Sequence, residues 1–260
     1  MFGKKFKTIL AIGAMAAALI SAGCGSDSTT KNGIPPVIRV GSETTFPPFE
    51  FVDGDKYVGF DLDLAEAVIK QMGSKMEFKS MGFDALIPAV QSGQIDMIAA
   101  GMDATPERSK QVAFSDPYFS ENGYVIVTRK DNDTIHDWKD LEGKNVGAQV
   151  GTQSVELAQE AKAANVKQLD SNSQAFMELQ ASTLDAVVLD RPVTMYYLNQ
   201  GADKDLQIVG TPKPGPAMSL AVNKDNKELQ DAVNKALKEI KENGTYDKIY
   251  KKWFGEQQKQ

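Results

Sequence analysis

Two spacings of apolar residues alternate along residues 37–100, and they predict strands and helices in turn. The predicted elements are strands at 37–40, 76–78 and 95–100, helices at 62–72 and 83–92, and a hairpin within 49–60. Glycines follow both helices, and Asp53-Gly54 supplies the turn of the hairpin. The alternation predicts an α/β fold with an open, mostly parallel sheet.

The same order of elements starts again near residue 145. The second set comprises a strand at Asn145–Gln149, a helix opening at 151–154, a strand at 166–169, a helix at 174–182 and a strand at 184–189. Each half contains a helix, a short polar turn and an apolar strand that begins around an aspartate, Asp96 in the first half and Asp185 in the second. The matching positions predict a structural role for both aspartates and two similar lobes for the chain.

Further β-rich and helical segments complete the pattern. Strand-like sequences at Gly123–Arg129 and 217–222 would connect the two lobes. Lys227–Glu242 has the spacing of a long amphipathic helix that stops at Asn243-Gly244, and a last short helix follows it.

Residues 98–119 contain a well-specified helix start, in the sequence I-A-A-G-M-D-A-T-P-E-R-S-K-Q-V-A-F-S-D-P-Y-F. Thr105 suits the N-cap, Pro106 the first helical position and Glu107 the positive end of the helix dipole. Free N–H groups at this end, together with Arg108, would bind a carboxylate. A capped surface helix with an exposed arginine fits these residues equally well.

The amino-terminal segment has the layout of a secretory signal. Residues 1–23 begin with three lysines and continue into an apolar run that is too short and too rich in alanine to span a bilayer comfortably. Cys24, the only cysteine, resembles the lipidated residue of a bacterial lipoprotein, although Ser21 stands where such signals usually carry a bulky aliphatic residue. Residues 24–36 would be a flexible tether. We expect the protein outside the cytoplasm, held to the outer face of a bacterial membrane by the lipid or free in a periplasm.

Charge and composition exclude several classes of function. The net charge of −6 argues against binding to nucleic acid or to anionic lipid. With a single histidine, His136, and a single cysteine, the chain lacks the residues for a Cys/His metal site or a histidine-based nucleophilic triad. No phosphate-binding or dinucleotide-binding glycine motif is present. We therefore expect no cofactor, no metal and no catalytic residues.

Six motifs in register resemble the periplasmic-type solute-binding proteins for polar amino acids, which feed ABC importers. Besides A-G-M-D-A-T-P-E-R and F-S-D-P-Y, they are V-G-S-E-T-T-F-P-P-F-E-F, Y-V-G-F-D-L-D-L-A, M-G-F-D-A-L-I-P-A-V-Q-S-G-Q-I-D, V-G-T-Q-S, L-D-A-V-V-L-D and Y-K-K-W-F-G. The resemblance implies a two-lobed fold with a ligand cleft, a hinge in which Gly123–Arg129 pairs with 217–222, and C-terminal helices that pack on the first lobe. Residues 37–124 and 222–260 would form lobe 1, and 125–221 lobe 2 with the hinge strands.

The resemblance also implies how an amino acid would be held. Arg108 and the N–H groups of Asp103 and Thr152 would bind its carboxylate, whereas Asp190 and the carbonyl of Gly101 would bind its ammonium. Asp190 could instead cap a helix or pair with Arg191. Phe46 and Phe83 would flank the ligand side chain, whereas Phe49 and Phe51 are expected in the core.

Glu43 and Gln149 would face the far end of the ligand, and they guide the choice of amino acid. A carboxylate at Glu43 suits a cationic side chain, since a buried charge needs a partner. Gln149 is neutral where some glutamine-binding relatives carry a lysine that would repel a cation. The side chain of Asp103 adds negative charge nearby unless it caps the helix. Arginine or lysine is therefore the first choice, and glutamine or another uncharged polar amino acid remains open.

The resemblance implies a monomer that closes its lobes around a free L-amino acid and then docks on a membrane permease. Two further classes of function remain. Some proteins on this scaffold are dehydratases that act on small carboxylated rings, and Glu43 would then be the general acid. A soluble amino acid sensor that docks on a separate receptor is the third class.

Overall fold

The computed structural model describes residues 34–255. The predicted signal and the lipidation of Cys24 lie outside this range. The tether prediction is wrong for its last three residues, because Ile34 is buried in the core and Pro35 and Pro36 accept hydrogen bonds from Ser74 and Lys75. Within residues 34–255 no helix combines the length and hydropathy needed to cross a bilayer.

The secondary structure alternates strands and helices as the sequence predicts. The strands are β1 (Val37–Ser42), β2 (Thr45–Phe46), β3 (Glu50–Asp53), β4 (Lys56–Val58), β5 (Lys75–Ser80), β6 (Met97–Ile98), β7 (Val112–Phe114), β8 (Gly123–Arg129), β9 (Asn145–Gln149), β10 (Asn165–Leu169), β11 (Ala186–Asp190), β12 (Leu206–Pro214) and β13 (Ala221–Asn223). The helices are α1 (Phe60–Gln71), α2 (Phe83–Gln91), α3 (Pro106–Ser109), α4 (Gln153–Glu160), α5 (Asn172–Gln180), α6 (Arg191–Asn199), α7 (Lys227–Glu242) and α8 (Thr245–Phe254).

Two five-stranded sheets form the two lobes. The first has the order β5-β1-β6-β13-β7, and its strands β5, β1 and β6 are parallel. The second has the order β10-β9-β11-β8-β12, with β10, β9 and β11 parallel. A small antiparallel sheet of β2, β3 and β4 adds to the first lobe. The mixed α/β architecture and the two lobes confirm the predicted fold class.

The C-terminal helices pack on the first lobe, as expected. The Phe254 ring of α8 packs edge-on against Phe60 at the start of α1, with the ring centroids 5.1 Å apart. The indole of Trp253 donates a 2.7 Å hydrogen bond to Asp63 of α1. Gln71 at the end of α1 donates to Glu239 of α7 at 2.7 Å. The chain therefore returns to its first lobe after building the second.

The pairing expected at the hinge is wrong. Strand β8 pairs with β12, whereas β13 pairs with β6 and β7 in the other sheet. Strand β12 was not predicted because Gly210, Pro212 and Pro214 are residues typical of turns. The register between β8 and β12 is in fact irregular here, since it shifts between Val209 and Lys213. The predicted lobe boundaries at 124/125 and 221/222 accordingly fall inside β8 and β13.

The chain crosses between the sheets at two segments that run side by side. Phe119 and Met218 form an antiparallel bridge, and the N–H of Gly215 donates to the carbonyl of Asn122 at 3.4 Å. The crossings therefore lie near residues 119–123 and 214–218, between the sheets rather than within β8 and β13.

Asp96 and Asp185 have the matching structural roles that the repeat predicted. Asp96 accepts a 2.8 Å hydrogen bond from the N–H of Arg39 in β1 and also binds the Arg39 guanidinium. Asp185 accepts a 2.8 Å hydrogen bond from the N–H of Asn145, the first residue of β9. In each lobe the aspartate thus ties the start of one strand to its neighbour.

Candidate functional site

A pocket between the two lobes gathers all nine predicted site residues. They are Glu43, Phe46, Phe83, Gly101, Asp103, Arg108, Gln149, Thr152 and Asp190. The space between the lining residues that protein atoms do not fill is about 320 Å³, including space open to solvent. Glu50, Ala100, Tyr124 and Gln153 also line it, and the sequence analysis did not select them.

Strand ends bring these residues together. Glu43 follows β1 and Gly101 comes shortly after β6 in the first lobe, whereas Gln149 ends β9 and Asp190 ends β11 in the second. The carboxyl ends of parallel strands share one edge of a sheet, and both such edges face the cleft. This is the usual location of ligand sites in open α/β folds.

Arg108 is the cation of the pocket. Its side chain is buried and donates to the carbonyl of Asp103 at 3.0 Å and, across the cleft, to the carbonyl of Gly151 at 3.1 Å. Its guanidinium also lies 5.1 Å from the centre of the Phe83 ring. The interpretation as an exposed surface arginine is therefore wrong.

The helix that carries Arg108 is only one turn long. Thr105 is its N-cap as predicted, because the Thr105 hydroxyl accepts a 3.2 Å hydrogen bond from the N–H of Arg108. A single turn has little dipole, so an anion here would depend on the guanidinium and on individual N–H groups. The N–H of Thr152, the other predicted donor, makes only a long 3.4 Å bond to the carbonyl of Gln149.

Asp103 does not cap the helix, because its carboxylate has other partners. One oxygen accepts a 2.7 Å hydrogen bond from the Asn122 amide, and the other accepts the hydroxyl proton of Tyr124. The side-chain oxygen of Gln153 lies 3.0 Å from the same hydroxyl. Burial raises the pKa of Asp103, and the hydrogen bond from Tyr124 and the charge of Arg108 oppose the rise.

Asp190 also has no capping role, although it stands at the N-cap position of α6. Its side chain makes no capping hydrogen bond, and only its backbone carbonyl binds the helix, through Thr194 at 2.9 Å. Burial, and then the neighbouring Asp103 carboxyl, raise the pKa of Asp190 to about 8. The cation that lowers this pKa is Arg108 rather than the adjacent Arg191.

Glu43 and Gln149 meet in the same pocket, where Gln149 donates a hydrogen bond to Glu43. Glu43 is buried and accepts hydrogen bonds from the hydroxyl and the N–H of Thr45 at 2.9 and 3.2 Å. Burial raises its pKa, while hydrogen bonds from Thr45 and Gln149 oppose the rise. The Gln149 amide is fixed in turn by Asn172, which donates to it at 3.0 Å.

Glu50 is a buried carboxyl that the sequence analysis missed. Glu50 follows Phe49 and precedes Phe51 in the sequence, and its side chain is fully buried. No described residue donates a hydrogen bond to either of its carboxyl oxygens. Burial, with the nearby Asp61, Glu43 and Asp190, raises the pKa of Glu50 well above its usual range. An acid within the apolar sequence F-E-F was the available signal.

Two contacts fix the backbone of Gly101, one with Asp61 and one with Phe46. Its N–H donates a 2.7 Å hydrogen bond to the fully buried Asp61, which also accepts the Tyr118 hydroxyl proton. Its backbone has φ of +53°, and a Cβ atom here would lie 2.5 Å from the Phe46 ring. Phe46 itself stacks on Phe49 with centroids 5.5 Å apart. Glycine is therefore required where the backbone borders the pocket.

Comparison with known proteins identifies relatives over nearly the whole described chain. The family model for bacterial extracellular solute-binding proteins, family 3, matches residues 38–256. The arginine-binding extracellular protein ArtP of Bacillus subtilis (strain 168) is 37% identical over 254 residues, which cover 96% of this chain and 98% of the relative. ABC transporter arginine-binding protein 1 of Escherichia coli (strain K12) is 38% identical, covering 84% of this chain and 90% of the relative.

Solved structures agree with this grouping. An ancestral arginine-binding protein bound to arginine shares 50% identity with this chain at a TM-score of 0.80, covering 85% of this chain and 99% of its own. A structure of an ancestral arginine-binding protein bound to glutamine also shares 50% identity with this chain, at a TM-score of 0.82, covering 86% of this chain and 100% of its own. Sequence, fold and site architecture together establish that this chain belongs to the bacterial extracellular solute-binding proteins of family 3.

Proposed function

We propose that this protein is the extracytoplasmic amino-acid-binding component of an ABC importer and that it binds a basic amino acid, arginine or lysine. One observation carries the choice of ligand: the buried Glu43 carboxylate lies in the same pocket as the buried guanidinium of Arg108. A ligand with a carboxylate at one end and a cation at the other would satisfy both groups. Relatives named for arginine binding support the same choice.

The remaining residues fit the shared part of an amino acid. The carboxylate would bind Arg108 and the N–H groups of Asp103 and Thr152. The ammonium would bind Asp190 and the carbonyl of Gly101. Each charge-assisted hydrogen bond contributes about 1.5–3 kcal/mol, and micromolar affinity needs only about 8 kcal/mol. Four or five such contacts suffice.

Phe46 and Phe83 would flank the ligand side chain. Phe83 already lies against the Arg108 guanidinium, and Phe46 is fixed by its stack on Phe49. Two aromatic faces suit the methylene chain and the planar guanidinium of arginine. Arginine therefore precedes lysine in our proposal.

The mechanism is closure of two lobes around the ligand. The first lobe would comprise the chain up to the crossing at 119–123 and again after the crossing at 214–218, and the second lobe the residues between. A ligand that contacts both lobes stabilises the closed conformation by its differential affinity, and the closed conformation would dock on the permease. We propose a monomer, anchored by a lipid on Cys24.

The test is isothermal titration of the protein lacking residues 1–24, unfolded and refolded to remove carried-over ligand. We expect arginine to bind with micromolar or lower Kd. Glu43→Gln should weaken arginine binding about 30-fold while glutamine binding changes little, because only the cationic side chain loses its partner. Arg108→Ala should weaken both ligands. Glu66→Gln, at an exposed position of α1, is the matched control.

The outcomes distinguish an error in the choice of amino acid from an error in the proposed importer function. Binding of glutamine but not of arginine or lysine would contradict the role of Glu43 and leave an amino acid importer component. A titration without heat for any amino acid would contradict the proposed ligand class.

Glutamine is the second candidate, for a specific reason. Burial raises the pKa of Glu43, and a protonated Glu43 beside the Gln149 amide can bind a neutral amide. The similar structure bound to glutamine supports this candidate.

An enzymatic function and a sensor function would each give a distinct result. A structure 40% identical to this chain, with a TM-score of 0.75, is described as an ancestral amino-acid-binding protein that preceded cyclohexadienyl dehydratase. Turnover of a carboxylated cyclohexadiene, abolished by Glu43→Gln, would favour the enzyme. Binding to a purified receptor rather than a permease would favour the sensor.

A further inference from the structure

Thr45 holds both carboxyl oxygens of Glu43. The hydroxyl of Thr45 donates to one oxygen at 2.9 Å, and its N–H donates to the other at 3.2 Å. Thr45 belongs to β2 and pairs with Phe51 of β3, so the small sheet sets the direction of both donors. Thr45 is not among the lining residues of the pocket, and it would therefore act on a ligand through Glu43.

The charge of Glu43 depends on opposing effects from several elements. Burial raises the pKa of Glu43, and the hydrogen bonds from Thr45 and then from Gln149 of β9 oppose the rise. The fully buried Glu50 of β3 is close enough for the Glu43 charge to raise the pKa of Glu50. Tyr197 of α6 also faces Glu43, because the Glu43 charge adds to the effect of burial in raising the pKa of this tyrosine. The donors on Thr45 are therefore needed to keep Glu43 ionised.

The second lobe closes over Thr45. The Tyr197 hydroxyl of α6 donates to the carbonyl of Thr45 at 3.4 Å. The neighbouring Tyr196 ring packs against Phe51, the strand partner of Thr45, with the ring centroids 5.5 Å apart. Thr45 is thus held by strand pairing in the first lobe and covered by α6 of the second. Closure brings α6 onto the residue that orients Glu43.

We propose that Thr45 is a positioning residue that fixes the Glu43 carboxylate for a cationic side chain and thereby determines the preference for arginine over glutamine. This inference rests on the proposed function, because it takes Glu43 as the partner of the ligand side chain. An ionised Glu43 accepts hydrogen bonds from a guanidinium, whereas a protonated Glu43 can donate one to a neutral amide. Without the Thr45 hydroxyl the buried carboxylate loses a donor, and this loss favours the protonated form.

The decisive experiment measures Kd for arginine and for glutamine by isothermal titration between about pH 5 and pH 8. In Thr45→Val we expect the ratio of arginine affinity to glutamine affinity to fall about tenfold or more, because the hydroxyl holds both the charge and the orientation of Glu43. Arginine binding needs ionised Glu43, so arginine affinity falls as pH drops through the Glu43 pKa. In Thr45→Val this fall should begin about one pH unit higher. Thr45→Ser keeps the hydroxyl and should restore the ratio and the profile.

Thr44→Val is the matched control at the adjacent position. The hydroxyl that it removes lies 3.1 Å from the hydroxyl of Ser80. The backbone of Thr44 also helps to keep Glu43 charged, and this substitution leaves the backbone N–H in place. We expect Thr44→Val to keep the affinity ratio and the pH profile of the unaltered protein.

A second measurement needs no ligand. Thr45 and Glu43 belong to the same lobe, so their contact does not require closure. The carboxyl carbon of Glu43 is followed by NMR over a series of pH values in the ligand-free protein with labelled glutamate, and its resonance is the one that Glu43→Gln removes. We expect the titration midpoint of Glu43 to lie about one pH unit higher in Thr45→Val than in the unaltered protein or in Thr45→Ser.

The two measurements separate this inference from the proposed function. Equal losses of arginine and glutamine affinity in Thr45→Val, or an unchanged midpoint for Glu43, would overturn the role of Thr45 and leave the proposed function intact. If the unaltered protein binds neither arginine nor lysine, the proposed choice of ligand fails and the inference fails with it, whatever the midpoint of Glu43. If Thr45→Val does not fold, Thr45→Ala takes its place with the same expectations.

Discussion

Asp61 connects the pocket to the core. It is fully buried near the start of α1, and it accepts hydrogen bonds from the N–H of Gly101 and from Tyr118. Burial raises the pKa of Asp61 to about 7, although both hydrogen bonds favour the charged form. Between about pH 4 and pH 7 the native protein therefore keeps a proton on Asp61, whereas the unfolded chain, with an ordinary aspartate pKa, has released it.

This difference predicts a pH dependence of stability. Because the native pKa is the higher one, the contribution of Asp61 is complete below about pH 4 and is lost as pH rises to about 7, a change of about 2 to 4 kcal/mol. Asp190 extends the same trend to about pH 8. Guanidinium unfolding of the ligand-free protein at a series of pH values should show a free energy of unfolding that falls as pH rises. Asp61→Asn should flatten that fall, and an unchanged slope would contradict the shifted pKa.

Gly101 offers a residue-scale test of the pocket wall. Gly101→Ala places a Cβ 2.5 Å from the Phe46 ring at a φ of +53°, so we expect a loss of about 1 to 3 kcal/mol in stability and about tenfold or more in ligand affinity. Gly54→Ala is the matched control. Its φ is +60°, but a Cβ there meets nothing within 4 Å, so only the backbone strain remains. Equal affinity losses in the two variants would argue against a specific role for Gly101.

At the scale of elements, the repeated Asp-to-strand contacts differ in strength. Asp96 binds both the N–H and the guanidinium of Arg39, whereas the Asp185 carboxylate binds the N–H of Asn145. We expect Asp96→Ala to cost about 2 to 3 kcal/mol and Asp185→Ala about 1 kcal/mol in chemical denaturation. Both residues precede the strands whose far ends form the pocket, so neither substitution should change ligand affinity. A larger effect of Asp185→Ala would contradict this ranking.

Elements with a clear apolar period were predictable from the sequence. The bounds of β8, β9 and α7 agree with those predicted, because their flanking residues carry turn or capping signals. Strand β12 was missed because its glycine and prolines obscure the period, and this error led to the wrong hinge pairing. The predicted strand at 95–100 is shorter in the structure, where β6 covers only Met97 and Ile98.

The site was predictable where it follows strand ends and motifs, and less so elsewhere. All nine predicted residues line one pocket, but whether they contact a ligand stays a prediction. Asn122 and Tyr124 were missed because their relevance depends on the crossing segment, which brings them to Asp103 only in the folded chain. Contacts between the lobes do not affect the local spacing of apolar residues along the chain, so that spacing could not predict them.

At the scale of the whole molecule, the two lobes meet closely at Gly151. Arg108 of the first lobe donates to the carbonyl of Gly151 in the second. A Cβ on Gly151, whose φ is +75°, would lie 3.2 Å from the Cβ of Asp84 in α2. Closure therefore depends on the absence of a side chain at Gly151.

Gly151→Ala should accordingly hinder closure. We expect arginine affinity to fall about tenfold or more, because the added methyl group separates the lobes and strains a left-handed backbone. Small-angle scattering should show that saturating arginine compacts the unaltered protein but compacts Gly151→Ala less. Gly143→Ala is the matched control in the same lobe, since its φ is +76° and a Cβ there meets nothing within 4 Å. If both variants bind and compact like the unaltered protein, the approach of Asp84 and Gly151 does not limit closure, and the affinity must arise from the pocket contacts alone.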